Sequence, residues 1–218
     1  LREETRDILA RGFGERPVPE LAELLRHADL RVRRDSQFEL VRRGRDGYEA
    51  LLKAARGNSN LLARLHGIWG VGQLARKDAG ALGPILPLLG DAQPEVRAQV
   101  ALVAGDAVAD TALEALIGLL RDDSIRVRSY AATALGKLGS AKAVAPLFAL
   151  VRDNNDEDAY LRHACVMGLW GSAKGNPQPL LDKAGQGTDA EKLAALLALR
   201  RLEHPGTAAF LNDKNLYL

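Results

Sequence analysis

RVRRDSQFELVRRG (residues 31–44) and RVRSYAATALGKLG (residues 126–139) read as two copies of one segment. Each opens on Val-Arg, at Val32-Arg33 and Val127-Arg128, and each carries a Gly twelve residues after the Val, at Gly44 and Gly139. Four further segments fall on the same frame, beginning at Ala63, Val96, Leu161 and Leu193. The starts at 32, 63, 96, 127, 161 and 193 lie 31 to 34 residues apart. A repeat of this length is one supersecondary unit that buries its apolar face only by stacking on its neighbours.

Shorter apolar stretches lie between these segments: VPELAELLRH, YEALLKAAR, LGPILPLLG, ALEALIGLLR and AVAPLFALVR. Their apolar residues recur at three and four spacing, the period of an amphipathic helix, and no stretch sustains the alternation of a strand. Gly, Asp, Asn and Pro separate them, as in RGNSN, GDAQP and DNNDED. Each unit is therefore a helix pair, A then B. The expected fold is all-α, a right-handed α-α superhelix of about six helix pairs forming one domain over 1–218. It comprises an N-terminal helix (1–12), repeats at 17–44, 45–76, 79–109, 111–140, 141–174 and 177–204, and a truncated repeat at 207–218. Asp213 precedes Leu218 by five, as Asp122 precedes Val127, so Leu218 would open a seventh B helix.

Composition bounds the function. The 218 residues carry 30 Lys plus Arg against 28 Asp plus Glu, a balance that argues against a dedicated nucleic-acid binder. One Cys, Cys165, leaves neither an internal disulfide nor a CxxC metal site. No apolar run has the length of a membrane span.

The Val-Arg opening of helix B, the small residues that follow it and the closing Gly resemble HEAT repeats, in the short form also seen in bacterial HEAT-like and phycocyanobilin-lyase-like repeats. Gly72, Gly105 and Gly136 share one frame position, which points to close helix–helix approach because Gly is otherwise a poor helix former. The resemblance also implies a polar ladder. Its Arg column is Arg33, Arg64, Arg97, Arg128 and Arg162, and six residues before the last four stand Asn58, Asp91, Asp122 and Asp156. A turn side chain and an Arg on the first turn of B would bond across stacked repeats; a row of phosphate-binding Arg is the functional alternative. Ala194 breaks the column, so the ladder should weaken there.

The string LLARLHGIWGVGQLAR (61–76), with LAELLRHADLRVRRDSQFELVRRG before it and FLNDKNLYL at 210–218, is similar to the helical region of planctomycete-type membrane-bound-dehydrogenase-like, haem-binding CxxCH proteins. That resemblance implies a fragment of a larger oxidoreductase acting outside the cytoplasm. None of the redox parts stands in this sequence, so no cofactor or haem ligand is assigned to any residue.

The remaining motifs are weak. Gly70-Val-Gly72-Gln-Leu-Ala75 matches a dinucleotide fingerprint but lies inside a B helix, whereas that motif works only between strand and helix. The carboxylates of 153–158 lack the Gly that a calcium loop needs. His27, His66, His163 and His204 show no metal-ligand spacing and read as exposed or capping, and Cys165 reads as an inert core thiol. One column carries the functional reading: six residues after each frame start stand Phe38, Trp69, Leu102, Thr133, Met167 and Leu199, with Tyr130 one turn from Thr133. HEAT-type B helices line the concave side of their solenoid, so this column is either a binding surface or packing between repeats. The expected function is a non-catalytic scaffold for protein–protein or interdomain contacts. The alternatives are a nucleic-acid-binding module of the HEAT-like DNA glycosylase type and a tetrapyrrole-handling lyase-like module.

Overall fold

The computed structural model describes residues 2–57, 59–211 and 213–214, and every regular element among them is a helix. Asn58 and the segment 215–218, on which the reading of Leu218 rests, lie outside the described residues. The chain forms two compact units, Leu1–Val103 and Ala104–Leu218.

The first unit holds α1 (Arg2–Arg11), α2 (Val18–Leu24), α3 (Leu30–Arg42), α4 (Arg45–Gly57), α5 (Leu61–Ala75), a 3-10 helix (Ala79–Gly90) and the greater part of α6 (Pro94–Asp106). Here α2 packs on α3 and α4 on α5, while α5 also packs on α3 and on the 3-10 helix. The second unit continues with α7 (Leu113–Leu119), α8 (Ile125–Leu138), α9 (Val144–Asn154), α10 (Ala159–Ser172), α11 (Gln178–Leu181), α12 (Lys183–Gln186), α13 (Asp189–Arg201) and a 3-10 turn (Pro205–Phe210). There α8 packs on α7 and α10, and α10 on α9 and α13. No helix among the described residues is long and apolar enough to cross a membrane.

The helix starts follow from side chains that satisfy free backbone N–H groups. Asp29, Asn60 and Asp158 accept from the N–H of Arg31, Ala63 and Leu161 at the starts of α3, α5 and α10. Thr188 and Glu191 form a reciprocal capping box on α13. The frame-start residues Val32, Ala63, Val96, Val127 and Leu161 are buried, each contributing apolar area at roughly 25 cal/mol per Å².

Two features explain the sequence frame. Gly44 and Gly139, the Gly that close their copies, have φ of +63° and +70°, a left-handed turn that ends a helix at little cost without a Cβ. A Cβ on Gly72 would lie 2.6 Å from the Val103 side chain, one on Gly105 2.7 Å from the Ala134 Cα, and one on Gly136 2.5 Å from the Met167 carbonyl oxygen. The shared Gly column is thus set by close packing between consecutive B helices.

The stretch around LGPILPLLG departs from the α-helix its periodicity predicts. Pro84 and Pro87 have no N–H to donate, so the bond ladder of an α-helix cannot run through them. The chain winds instead as a 3-10 helix from Ala79 to Gly90 and still buries Leu82, Ile85 and Leu89.

Candidate interaction surface

The Arg column sits at the first turns of the B helices and fastens them to neighbouring turns in several ways. Arg64 joins three segments. Its Nη1 and Nη2 reach the two Asp91 carboxylate oxygens at 3.2 and 2.5 Å, while its Nε donates to the Ala55 carbonyl at 3.0 Å. This guanidinium joins α4, α5 and the turn before α6, and a paired fork of this kind is among the strong protein hydrogen bonds. The Arg64 bond, helped by the Gln93 backbone N–H and the Arg97 charge, holds the Asp91 carboxyl below its usual range against the opposing pull of burial.

The other four Arg each bond the turn before their own helix, and Arg33 also reaches His66 in the next copy. Arg33 donates to the carbonyls of His27 and Ala28, Arg97 to those of Asp91 and Ala92, and Arg128 to those of Asp122 and Asp123. Arg162 pairs with the Asp156 carboxylate. In the last copy Ala194 is buried, and the ionic role passes to the buried Glu191, which pairs with Arg152 at 3.0 Å and Lys183 at 2.9 Å. Burial raises the Glu191 carboxyl, but the Thr188 N–H, Lys183 and Arg152 outweigh it and hold the group ionised below its usual range.

The first unit also contains a buried polar chain that the sequence reading missed. His66 is 3% exposed, not a surface or capping residue. Its Nε2 accepts from Arg33 Nε at 3.2 Å, so Nε2 carries no proton; Nδ1 bears it and donates to Gln37 Oε1 at 2.7 Å. Burial first, and the Arg33 charge second, push the imidazole down to about 4. The Trp69 ring stands edge-on to His66 at 4.9 Å, and its indole N–H donates to Gln99 Oε1 at 2.8 Å. Gln99 in turn donates to Glu95 at 2.8 Å. One signal was available: Gln37 occupies the buried column filled by Ile68, Ala101, Ala132, Val166 and Ala198 in the other copies.

Of the remaining His residues, His204 caps the 3-10 turn by accepting from the Gly206 N–H and His163 is exposed, whereas the His27 side chain is largely buried and accepts from the Asp29 N–H without capping a helix. Cys165 is fully buried and its thiol is pushed up to about 12 by burial, against a weaker opposing pull from Arg128, so it is a poor nucleophile. Gly70 and Gly72 lie within α5 and are packed against side chains. The 153–158 loop spends its polar groups locally: Asp156 on Arg162, and Asp158 on the start of α10. No group of three or more His, Cys, Asp or Glu among the described residues could hold a metal ion.

The candidate column lies on half-open helix faces. In the first unit Phe38 is 46% exposed, while Trp69 and Leu102 are half-buried. In the second, Tyr130, Thr133 and Met167 are half-buried. The Arg126 guanidinium lies 5.0 Å from the Tyr130 ring centre, and the Thr133 hydroxyl donates back to the Ser129 carbonyl at 3.0 Å. Leu199, at the same frame position in the last copy, is fully buried.

Comparison with known proteins bears on the fold. Residues 82–170 match the family described as HEAT repeats. No curated protein matches the sequence. Two engineered proteins solved by the Northeast Structural Genomics Consortium superpose with TM-scores of 0.56 at 18% and 19% identity. They match 85% and 86% of this chain and 96% and 99% of their own. A designed armadillo repeat protein superposes with a TM-score of 0.53 at 18% identity, over 85% of this chain and all of its own. At this identity the likeness is one of fold: a helical-repeat protein of the armadillo and HEAT type.

Proposed function

We propose that the chain is a non-catalytic scaffold whose B helices hold a protein partner or neighbouring domains of its own parent protein. The observation that carries this reading is the frame-registered column of half-open apolar side chains, Phe38, Trp69 and Leu102 in the first unit and Tyr130 and Met167 in the second. Large apolar side chains held half-exposed on firmly packed helices are the material of interaction hot spots. In this reading residues 1–218 act as one repeat domain, and the Arg column serves structure by tying turns to helices. The oxidoreductase context rests on the resemblance of 21–75 and 209–218; a c-type haem band in the reduced visible spectrum of the intact parent protein would support it, and a spectrum without haem would remove it.

The test is site-specific photo-crosslinking in the native host. A photoreactive residue at position 38 or 102 is expected to trap one discrete partner or parent-protein segment. The same residue at exposed Glu49 on α4 is expected to trap none. Equal yields from both faces, or none from either, would overturn the assignment of this column.

A further inference from the structure

A cavity of about 410 Å³ opens on the second unit between α10 and α13. Its rim carries Arg162 and His163 from α10 and Arg200 and Arg201 from α13; its floor is aliphatic, from Val166 and Leu197. This volume falls at the small end of ligand sites. The three guanidinium groups are held differently. Arg162 pairs with Asp156 of the preceding turn, while Asp158 caps the start of α10 by accepting from the Leu161 N–H. Arg201 rests on the Trp170 ring with its guanidinium carbon 5.2 Å from the ring centre, which fixes its position without neutralising it. Arg200 and His163 are exposed, and among the described residues neither forms an ion pair.

From this geometry we infer that the α10–α13 cavity binds a short acidic peptide segment that carries an aliphatic side chain beside its carboxylates. Guanidinium forks match carboxylates in shape and charge. The aliphatic floor suits a Leu- or Val-sized side chain, which a nucleic-acid backbone does not offer. Binding to a nucleic-acid backbone draws on cations spread along its length, whereas these are gathered round one pocket. The cavity uses none of the residues of the half-open column, so its failure leaves the scaffold reading standing, and the reverse also holds.

The experiment uses the full chain and a fluorescein-labelled peptide of sequence Glu-Asp-Leu-Glu-Glu-Leu, read by anisotropy at low salt. Arg200→Glu with Arg201→Glu is expected to weaken binding by about tenfold or more, since two charge-assisted contacts are reversed. Lys142→Glu with Lys174→Glu changes the net charge equally on the same unit and is expected to leave affinity unchanged. Circular dichroism on both doubles confirms folding. The inference is overturned if the two doubles weaken binding alike, if the Gln/Asn version of the peptide binds as well as the acidic one, or if inorganic phosphate or a single-stranded oligonucleotide displaces the peptide at lower concentration than unlabelled peptide does.

Discussion

The two units join consecutive B helices by different means on one sequence frame. In the first, polar side chains bridge them: Arg33, His66 and Gln37 link α3 to α5, and Trp69 and Gln99 link α5 to α6 beside the close approach of Gly72 to the Val103 side chain. In the second, α8 and α10 meet by their backbones, because Gly136, Gly168 and Gly171 remove the Cβ atoms that would hold them apart. A Cβ on Gly168 would lie 2.7 Å from the Ala132 carbonyl oxygen, and one on Gly171 would strike the Gly136 backbone. A helical repeat can therefore keep its register either by satisfied buried bonds, which are directional, or by close approach, which is unforgiving of volume.

The largest expected effect tests the second mode. Gly171→Ala places a methyl group against the backbone of the facing helix, where no flexible side-chain end can yield. Overpacking of this kind costs on the order of 3 kcal/mol. Urea denaturation of the full chain measures it, and a loss below about 1 kcal/mol would mean that the helices can part and that volume does not set the register.

The next effect tests the first mode by pH. His66 has a solution value of 6.5 and is pushed down to about 4 in the fold. Between those values the unfolded chain holds a proton there that the folded chain does not, so stability falls as pH falls through that window. The full cost is about 3 kcal/mol at most, reached below pH 4. His66→Gln keeps a polar side chain but does not titrate. It is expected to flatten the stability profile between pH 6.5 and 4 relative to the natural chain. Parallel profiles would show that the imidazole is not held neutral by burial and Arg33.

The frame was legible because its signals are local and repeated. Val-Arg at the start of helix B, the Gly column and the closing Gly each recur at fixed offsets, and each has a cause in backbone geometry. The 3-10 course of Ala79–Gly90 was hidden, since apolar spacing alone does not weigh the missing N–H groups of Pro84 and Pro87. The His66 chain was hidden for a different reason. Its bonds cross from residue 37 to 66 and from 69 to 99, so no local window contains both partners, and only the exceptional Gln37 in an apolar column marks it. The Arg column was visible, but not its choice of partners: only the structure shows Arg64 reaching Asp91 in the next turn while Arg162 turns to Asp156 in its own.

A smaller effect, of opposite sign, comes from the position that Gly44 and Gly139 occupy in their copies. The third copy has Val108 there, exposed, with φ of +50°. A β-branched residue in the left-handed region is strained by on the order of 1–3 kcal/mol, part of which Gly would forfeit through the entropy of the unfolded chain. Val108→Gly is expected to raise stability by about 1 kcal/mol, seen as a higher urea midpoint with an unchanged slope. A loss of stability would mean that the Val side chain makes a contact worth more than its strain.

The smallest single effect, at Phe38, separates the members of the candidate surface when it is set beside Trp69. Phe38 and Trp69 stand at the same frame position in adjacent copies, yet the Trp69 indole N–H is bonded to Gln99 and its ring abuts His66, while Phe38 is nearly half open to solvent. Trp69→Ala removes packing and leaves a buried polar chain short of a partner, so it is expected to lower stability by about 2 kcal/mol or more. Phe38→Ser is expected to change it by less than about 0.5 kcal/mol, because an exposed ring contributes little to the fold. The contrast decides what each residue is for. A position that the fold does not need but that holds a large apolar ring is available to a partner, whereas one that the fold does need can serve a partner only through the face it leaves open. If Phe38→Ser proved as damaging as Trp69→Ala, the column would be repeat packing throughout the first unit, and the partner-binding face would have to be sought elsewhere on the helices.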